Sequence, residues 1–431
     1  MKKIVLFGAG KSSGVLIDYL INQSEENNWE ITVADANAEF ILQKTKNRPR
    51  SKDIALDIKD DLIRKSLIQH ADIVISMMPP ALHILIAHDC LEFGKSLLTA
   101  SYADDSILAM NKAAEEKGIL FLCEMGLDPG IDHMSAMKLL DEIKYKGGKV
   151  SSFKSHCGGL IAPESDDNPW HYKISWNPRN VVLAGKAGAI FKENGNITEL
   201  HYEELFQNNN AVVVENHVSY SYYPNRNSLP YIDVYGLQDA DTFIRTTLRH
   251  IDFMKGWNQI IKYKLTDETK AFDSDGKSLK EFFHQYIDEK EFSQLHDKLF
   301  INQIEFLGWN DTETIVNKGF CSPADVLQFA LEKKLALKST DKDMIVMLHE
   351  IEYEFNQQYH SVKSALMVKG DDQVHTAMAK TVGLPLGIAA KLILNQTITA
   401  KGVQIPVTKE IYEPVLKELK KFGIDFVESF S

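Results

Sequence analysis

The stretch Lys2-Lys-Ile-Val-Leu-Phe-Gly-Ala-Gly-Lys-Ser-Ser13 predicts the fold of the first domain. An apolar run at residues 4–7 leads directly into a turn that contains Gly8 and Gly10, and a helix-like pattern follows. This is the context of a dinucleotide-binding loop. Gly8 permits the tight turn, Gly10 lets the backbone approach a pyrophosphate, and the helix N-terminus attracts its negative charge. We therefore predict cofactor contacts at Gly8, Ala9, Gly10 and Ser13, although Ser13 replaces the third glycine of the pattern.

Asp35, which follows the second predicted strand, indicates which nucleotide is bound. An acidic side chain at this position accepts hydrogen bonds from the ribose hydroxyl groups and repels a 2′-phosphate. The flanking segment Ala34-Asp-Ala-Asn37 contains no arginine that would offset the repulsion. The sequence therefore favours NAD, with NADP as the alternative. The structural alternative is that Asp35 is only a turn residue that begins the next helix.

Short apolar runs alternate with helix-like spacing over the first 123 residues. The predicted strands are residues 4–7, 31–34, 54–56, 73–76, 97–100 and 119–123. The predicted helices are residues 11–22, 60–69, 80–93 and 104–117. This alternation predicts an α/β fold with a Rossmann-like parallel sheet, in which ligands bind beyond the carboxyl ends of the strands.

The segments after strands four, five and six are expected to meet at that edge of the sheet. Met78 follows strand four, Ser101 and Tyr102 follow strand five, and Asp128 lies in the turn after strand six. Because parallel strands end at a common edge, we predict that these side chains lie near the nicotinamide end of the cofactor, and we assign Met78 to the cofactor site.

The helix that follows this turn has a second, purely structural interpretation. Asp132 precedes an apolar series at helical spacing, Met134, Met137 and Leu140, and Asp is a favoured N-cap residue. On this interpretation His133, one turn into the helix, only packs and forms hydrogen bonds. The alternative is that His133 takes part in proton transfer.

The character of the sequence changes twice after the first domain. We predict a Rossmann domain at residues 1–128, completed by about 372–395, where Gly383-Leu-Pro-Leu-Gly-Ile-Ala-Ala-Lys-Leu-Ile-Leu394 suits a tightly packed helix. An α/β substrate-binding and dimerisation domain is predicted at 129–245, completed by about 346–371 and 396–431. The sequence of residues 246–345 is charged and has helix-like spacing, which predicts a helical insertion.

Composition excludes several classes of partner. The 431 residues carry a formal net charge of −12, which argues against binding to nucleic acid. No apolar run approaches the roughly 18 residues that span a bilayer, so no membrane association is expected. The four cysteines, Cys90, Cys123, Cys157 and Cys321, form no Cys-x-x-Cys pair, which fits a reducing compartment such as the cytoplasm. No His-Glu-x-x-His motif occurs, and no metal site is predicted.

Arginine is rare in this chain, which makes its positions informative. Of the 48 basic residues only seven are arginines, and four of these lie within residues 179–249: Arg179, Arg226, Arg245 and Arg249. A guanidinium can hold a carboxylate by two parallel hydrogen bonds, which a lysine cannot do. The alternative for any single arginine is a surface ion pair.

Several long and uncommon motifs are spread along the chain. They are Thr99-Ala-Ser-Tyr102, Glu124-Met-Gly-Leu-Asp-Pro-Gly-Ile-Asp-His133, Cys157-Gly-Gly-Leu-Ile-Ala-Pro-Glu164, Tyr172-Lys-Ile-Ser-Trp176, Tyr223-Pro-Asn-Arg226, Thr247-Leu-Arg249, Asp343-Met-Ile-Val-Met347 and Ala377-Met-Ala-Lys-Thr-Val-Gly-Leu-Pro385. In these motifs the sequence resembles a known family, the saccharopine dehydrogenases and reductases of the glutamate-forming type, which includes the saccharopine dehydrogenase half of the animal bifunctional lysine-degradation enzyme. The resemblance covers nearly the whole chain.

The resemblance implies a homodimeric, three-part enzyme that interconverts saccharopine with L-glutamate and 2-aminoadipate 6-semialdehyde using NAD(P). It implies that saccharopine is contacted by Ser101, Tyr102, Arg226, Thr247, Leu248 and Arg249. It also implies that the nicotinamide side of the cofactor is lined by Ala100, Leu127, Asp128 and Pro129. Two departures stand out: the arginine typical of NADP users after strand two is absent, and His156 replaces the tyrosine common before Cys157-Gly-Gly.

The implied chemistry needs a group that takes up a proton and later returns it. Hydride leaves the carbon beside the secondary amine only when that nitrogen is neutral, because its lone pair must form the imine. The candidates are Asp128, Tyr102, His133 and Cys157, with Asp128 first because of its position. Cys157 could equally be a small structural hydrophobe. Two other functions stay open: a related carboxyspermidine-type reductase, and a non-catalytic relative that binds nucleotide.

Overall fold

The structure, a computed structural model, describes residues 1–207, 210–214 and 218–431. It divides into two compact units. The first unit comprises Met1–Gly148 and Val374–Val427, and the second comprises Lys149–Gln373 and Glu428–Ser431.

The described residues form strands and helices that are numbered here in chain order. The strands are β1 Lys2–Phe7, β2 Trp29–Asp35, β3 Ser51–Ala55, β4 Ile73–Ser76, β5 Ser96–Thr99, β6 Leu120–Leu122, β7 Lys149–Ile161, β8 Ala189–Glu193, β9 Asn196–Leu200, β10 Ala211–Val214, β11 Val218–Pro224, β12 Arg226–Asn227, β13 Thr242–Arg249, β14 Phe272–Asp273, β15 Phe320–Cys321, β16 Asp343–Phe355, β17 Gln358–Lys369, β18 Gly402–Gln404 and β19 Val427–Phe430. The helices are α1 Gly14–Gln23, α2 Ala38–Thr45, α3 Asp61–His70, α4 Pro80–Phe93, α5 Asp105–Leu108, α6 Asn111–Glu116, α7 Ile131–Tyr145, α8 Pro178–Val182, α9 Tyr202–Leu205, α10 Pro230–Val234, α11 Ile251–Lys262, α12 Leu279–Tyr286, α13 Glu289–Ser293, α14 Lys298–Leu307, α15 Pro323–Lys334, α16 Ala377–Leu394 and α17 Lys409–Leu419.

The first unit is built on a parallel sheet whose strand order is β18-β6-β5-β4-β1-β2-β3. Residues 4–7 of β1 and all of β4 are buried, because both faces of a parallel sheet are covered. The chain turns in opposite directions from the adjacent strands β1 and β4, and ligands bind at such a switch point. The predicted α/β fold with a Rossmann-like sheet is confirmed, and each of the six predicted strands is present.

The division of the chain differs from the predicted one at two places. The first unit extends to Gly148 instead of residue 128, and residues 396–427 lie with the first unit instead of the second. The reason is a helix pair: α17 packs on α7, and the Tyr412 hydroxyl donates to the Asp141 carboxylate at 2.6 Å. Strand β18 also adds to the edge of the first sheet, beside β6.

Helix α16 corrects the expectation that no stretch is long and apolar enough to span a bilayer. It passes that test by length and composition, but 67% of its length is buried inside the fold, as in the core helix of a globular unit. Gly383 and Gly387 lie against Leu16 and Tyr19 of α1. The small residues of α16 therefore serve the close packing of two helices, as the sequence predicts.

The second unit contains a mixed sheet whose main path is β10-β11-β13-β7-β16-β17-β19. Strands β7 and β16 are long antiparallel neighbours, whereas β13 runs parallel to β7 with Thr247 opposite Cys157. Helices α11 to α15 occupy residues 251–334, within the predicted helical segment 246–345. Their largest buried side chains include Trp257, Phe282 and Phe283, which form one core with the neighbouring helices.

We expect Gly383→Ala to destabilise the first unit by about 1–3 kcal/mol, because overpacking costs that much in a close-packed interior. A Cβ at Gly383 would lie 2.9 Å from the Leu16 backbone nitrogen and 3.3 Å from its Cα. The matched control is Gly14→Ala in α1, where the nearest atom to a new Cβ is 3.7 Å away. Alanine is the better helix former in both variants. Urea unfolding followed by circular dichroism measures the difference, and equal midpoints would contradict this packing.

Candidate functional site

The glycine-rich loop of the first unit has the geometry of a cofactor-binding turn. Gly8 has φ +103°, and a Cβ there would lie 2.8 Å from the Met77 carbonyl oxygen. Only glycine fits this position, because β1 and β4 approach each other closely at their ends. A Cβ at Gly10 would meet no described atom within 4 Å, which leaves that face of the loop accessible to a ligand. One turn of 3-10 helix, Lys11–Ser13, precedes α1 and places Ser13 in the interior.

Asp35 joins the end of β2 to this loop. One carboxylate oxygen accepts the Ala9 backbone N–H at 2.7 Å, and the other accepts the Asn37 N–H at 2.9 Å. The predicted turn role and the predicted ligand role are compatible, since a carboxylate offers about four acceptor positions. Asn37 caps α2 by accepting the N–H groups of Glu39 and Phe40, a signal from which this unpredicted helix could have been recognised.

Lys44 is a charged residue beside the glycine-rich loop that the sequence patterns did not reveal. Its ammonium group, on α2, donates to the carbonyl oxygens of Ala9 and Gly10 and to the Ser13 hydroxyl oxygen at 3.2 Å. Burial lowers the pKa of Lys44 to about 8, and the Asp35 carboxylate acts in the opposite direction. A positive charge therefore lies at the turn that is predicted to hold the pyrophosphate.

The ends of β5 and β6 meet within the first unit. The Gly126 backbone N–H donates to the Pro129 carbonyl oxygen at 3.0 Å, and a Cβ on Gly126 would lie 3.0 Å from the Ala100 Cβ. This contact brings Ala100 next to the turn that contains Leu127 and Asp128. Leu127 is buried and Asp128 is partly exposed, so the Asp128 side chain is the one available to a ligand.

His133 lies in the interior and is paired with acidic groups. Its Nε2 atom lies 2.9 Å from the buried Glu124 carboxylate, and its Nδ1 atom lies 3.7 Å from the Asp132 carboxylate. The second Glu124 oxygen accepts the Ala103 N–H at 3.2 Å. These contacts favour a structural role for His133, joining the ends of β5 and β6 to α7.

The predicted N-cap role of Asp132 is wrong. Gly130 is the N-cap residue of α7, and Asp132 is the second residue of that helix. The Asp132 carboxylate instead accepts the Gly130 backbone N–H at 2.6 Å. Gly130 has φ +146°, and a Cβ there would overlap the Gly126 carbonyl. The turn therefore requires glycine at the N-cap position, where no capping side chain is possible.

In the second unit, β13 separates the predicted substrate residues onto two faces. Successive side chains of a strand point to opposite faces, so Thr247 and Arg249 share one face and Leu248 lies on the other. Leu248 is fully buried, and Gly158 packs against it, where a Cβ would lie 2.6 Å from the Leu248 Cβ. The Leu248 side chain therefore contributes to the core, while Thr247, opposite the buried Cys157, stays partly exposed.

His156, the departure from the family pattern, belongs to a buried network. Its Nδ1 atom lies 2.7 Å from the Thr246 hydroxyl, and its Nε2 atom lies 3.3 Å from the Glu350 carboxylate. Burial lowers the pKa of His156, and the hydrogen bond from His156, together with Lys363, lowers the pKa of Glu350 to about 2. This network lies on the Leu248 face, so it does not share the face of Thr247 and Arg249.

Arg249 is a buried cation for which the described residues provide no carboxylate. It is 4% exposed, its Nη1 donates to the Leu248 carbonyl oxygen at 2.8 Å, and its Nε has no hydrogen-bond partner among them. The guanidinium lies 5.4 Å from the ring centre of Tyr172 and 5.6 Å from that of Phe253. Such ring contacts contribute about 0.5–2 kcal/mol. Burying a charge costs several kcal/mol, so the site is suited to an anion.

The two neighbouring arginines have different surroundings. Arg226 is exposed, has φ +54° and pairs through β12 with Ala189 of β8. Arg245 is buried, and its guanidinium lies 4.5 Å from the ring centre of Tyr231. Arg179 forms ion pairs with Glu268 and Asp325 at the surface, which is the alternative that the sequence left open for any single arginine.

One group of side chains in the second unit has the composition of a metal site. The ligand atoms of His171, His250 and Asp252 lie within 4.8 Å of one another. These residues are already engaged: His171 Nδ1 lies 2.6 Å from Asp166, and His250 Nδ1 accepts the Asp252 backbone N–H at 3.2 Å as the N-cap of α11. The absence of a metal site stays a prediction.

Comparison with known proteins identifies relatives for the whole chain. The family model described as the saccharopine dehydrogenase NADP binding domain matches residues 4–122. The model described as the saccharopine dehydrogenase C-terminal domain matches residues 126–424. Together they include the glycine-rich loop, the strand ends of the first unit and all of the arginines discussed above.

Individual relatives differ in length. The chain is 30% identical to saccharopine dehydrogenase [NADP(+), L-glutamate-forming] of Pyricularia oryzae, over 99% of this chain and 98% of that protein. It is 35% identical to the alpha-aminoadipic semialdehyde synthase of Arabidopsis thaliana over 87% of this chain, but this spans only 38% of that protein. The solved structure of apo saccharopine dehydrogenase (L-Glu forming) from Saccharomyces cerevisiae matches with a TM-score of 0.90, 29% identity and full coverage of both chains.

We expect the affinity for a nicotinamide dinucleotide to fall as the pH rises through about 8, because Lys44 then loses its positive charge. Loss of one charge-assisted contact should weaken binding by roughly tenfold. Titration calorimetry between pH 7 and pH 9.5 measures the dissociation constant. Lys44→Met should bind more weakly at pH 7 and lose this pH dependence, whereas Lys46→Met, at the exposed end of α2, should behave like the parent protein. A Lys44→Met variant with the parental pH profile would exclude this role.

Proposed function

The chain belongs to the saccharopine dehydrogenase family, and on that basis we propose that it is an NAD(P)-dependent oxidoreductase acting on saccharopine. The reaction is saccharopine + NAD(P)+ + water giving L-glutamate, 2-aminoadipate 6-semialdehyde, NAD(P)H and a proton, or the reverse. Relatives that carry this activity in their names match the chain over nearly their full length. The Arabidopsis relative is longer, and the chain matches only 38% of its length.

The observation that carries the proposal is the buried Arg249. Saccharopine has three carboxylates, and a protein with a net charge of −12 must concentrate cations locally to bind it. Arg249 is a guanidinium whose Nε lacks a partner among the described residues, and it shares one face of β13 with the partly exposed Thr247. We assign Arg249 to one substrate carboxylate and Thr247 to a neighbouring polar contact. Arg226, exposed beside β8, is the second candidate anchor.

Proton transfer is assigned to the strand ends of the first unit. The substrate nitrogen must lose a proton before hydride leaves the adjacent carbon, and water then adds to the imine. Asp128 and Tyr102 are both partly exposed, whereas His133 is fully buried against Glu124. We therefore propose Asp128 as the group that accepts the proton, with Tyr102 as the alternative.

The first unit fits a nicotinamide dinucleotide. When bound, the cofactor supplies the oxidising power by accepting the hydride. The loop Gly8-Ala-Gly10 would hold the pyrophosphate, because its conformation and the free space beside Gly10 allow close approach. Lys44 would add a positive charge there, and Asp35 would accept hydrogen bonds from the ribose. We propose NAD as the preferred form because of Asp35, whereas the names of the fungal relatives favour NADP.

The direct test is to add saccharopine to the purified protein with NAD or with NADP and to follow the absorbance of the reduced nicotinamide. Reduction that depends on saccharopine, with glutamate formed in equal amount, is the expected result. No reduction with either cofactor would refute the proposed function. Reduction with another secondary amine but not with saccharopine would indicate the related carboxyspermidine-type reaction.

Arg249→Gln should lower kcat/KM for saccharopine by about 10- to 100-fold, mostly through KM, since it removes a charge-assisted contact of roughly 1.5–3 kcal/mol. The KM for NAD(P) should change little, because Arg249 belongs to the second unit and the cofactor loop to the first. Arg179→Gln is the matched control, since Arg179 forms only surface pairs with Glu268 and Asp325. Equal losses for the two variants would count against the anion-binding role.

Asp35→Ala should narrow the preference for NAD over NADP by roughly tenfold, because the variant no longer repels a 2′-phosphate. The ratio of kcat/KM values for the two cofactors measures this. Asp53→Ala is a suitable control, since Asp53 lies on β3 and its carboxylate is bonded to Thr45. An unchanged ratio in Asp35→Ala would show that this carboxylate does not select the cofactor.

A further inference from the structure

His83 lies inside the first unit and joins two serine residues at the ends of neighbouring strands. It is part of α4 and is 5% exposed. Its Nδ1 atom lies 2.7 Å from the hydroxyl oxygen of Ser76, the last residue of β4. Its Nε2 atom lies 2.8 Å from the hydroxyl oxygen of Ser101, two residues after the end of β5. The imidazole therefore bridges two strand ends at the edge where the cofactor and substrate are proposed to bind.

We propose that His83 is a positioning residue that fixes the Ser101 hydroxyl as a hydrogen-bond donor to a carboxylate or other acceptor oxygen of the substrate. The inference rests on the proposed function for its substrate, and on the contacts of His83 for its geometry. His83 itself does not touch the substrate in this scheme. It acts through Ser101, a partly exposed side chain on a segment whose backbone is held by three further hydrogen bonds.

The direction of the hydrogen bonds follows from Ser76. Its hydroxyl is fully buried, and His83 Nδ1 is its one acceptor within the described residues. A buried hydroxyl hydrogen without an acceptor costs about 1–3 kcal/mol, so Ser76 donates to Nδ1. A neutral imidazole then carries its hydrogen on Nε2 and donates it to Ser101. The Ser101 hydroxyl hydrogen is thus directed away from His83.

Two neighbouring groups bear on this assignment. Thr99 Oγ1 also lies 3.3 Å from Nε2, but this contact is longer than the 2.7 Å and 2.8 Å contacts of the two serines. Thr99 Oγ1 accepts the Ser101 backbone N–H at 3.2 Å, which fixes the backbone of Ser101. Burial lowers the pKa of His83 to about 4, although the Asp104 carboxylate opposes the change, so the ring stays neutral and keeps a single N–H.

The backbone around Ser101 is held from the other side as well. The Glu124 N–H donates to the Ser101 carbonyl oxygen at 2.9 Å, and the Met125 N–H donates to the Thr99 carbonyl oxygen at 3.0 Å. With the main chain fixed by these bonds, the remaining freedom of Ser101 is rotation of its side chain. The hydrogen bond from His83 removes that freedom, which lowers the entropy cost of binding an acceptor.

Two substitutions of His83 distinguish its contact with Ser76 from its contact with Ser101. In His83→Gln the amide reaches the position of Nε2 and can still donate to Ser101, whereas in His83→Asn the amide reaches only the position of Nδ1 and can bond to Ser76. We expect His83→Asn to raise the KM for saccharopine by about three- to tenfold with little change in the KM for NAD(P). His83→Gln should leave the KM for saccharopine close to that of the parent protein. His88→Asn, on the exposed side of the same helix, should match the parent protein.

A double-mutant cycle decides whether His83 acts through Ser101. If it does, His83→Asn has no further effect on the saccharopine KM once Ser101→Ala is present. Additive effects, or equal losses in His83→Asn and His83→Gln, would overturn the proposal and leave His83 a packing residue. Thermal unfolding of each variant shows whether a loss reflects a folding defect.

The tautomer gives a test that does not depend on activity. In protein labelled with 15N-histidine, the His83 resonances, assigned from their loss in His83→Asn, should show hydrogen on Nε2 at pH 7. Hydrogen on Nδ1 would overturn the proposed donor direction even if saccharopine is the substrate. If the tautomer is as predicted but saccharopine is not oxidised, the proposed function fails and the geometry of His83 stands.

Discussion

The close approach of two backbone segments, at Gly8 and Met77, is the constraint on which the site of the first unit depends. The strands β1 and β4 are neighbours, and a side chain at Gly8 would press against the Met77 carbonyl at 2.8 Å. Any residue other than glycine would push the loop outward. Such a shift would move the Ala9 N–H from the Asp35 carboxylate and the loop carbonyls from Lys44. The proposed contacts with adenosine and pyrophosphate therefore depend on this one packed turn.

The parts of the fold with a periodic signal were predictable from the sequence. Apolar runs that are buried on both faces, as in residues 4–7 and 73–76, indicate parallel strands, and this signal is local to each run. The domain boundary left no such signal. Helix α7 belongs to the first unit because it packs on α17, and the bond between Tyr412 and Asp141 joins positions too far apart in sequence for any local pattern to reveal.

The candidate site likewise contains some residues that the sequence could predict and others that it could not. Gly8, Asp35 and Ser101 could be proposed from the sequence because each lies at the end of a strand or within two residues of it. Lys44 and His83 could not, since each is one polar residue within an ordinary helix, and its function depends on which loop the helix faces. The hydrogen-bond partners of His83 are two serines on different strands, which no local sequence pattern places beside this helix. A residue whose role is to hold another residue or loop in position leaves no pattern of its own in the sequence.

Two opposite charges lie near the glycine-rich loop, and the proposed cofactor preference depends on one of them, the Asp35 carboxylate. The Asp35 carboxylate already accepts N–H groups from Ala9 and Asn37, which fixes its position. An anion fixed in this way disfavours a 2′-phosphate. Lys44 supplies the opposing charge, but its hydrogens are directed at the carbonyls of Ala9 and Gly10 and at Ser13, on the pyrophosphate side of the loop. Because the pyrophosphate is common to NAD and NADP, Lys44 is expected to strengthen the binding of both, and the proposed discrimination between them rests on Asp35.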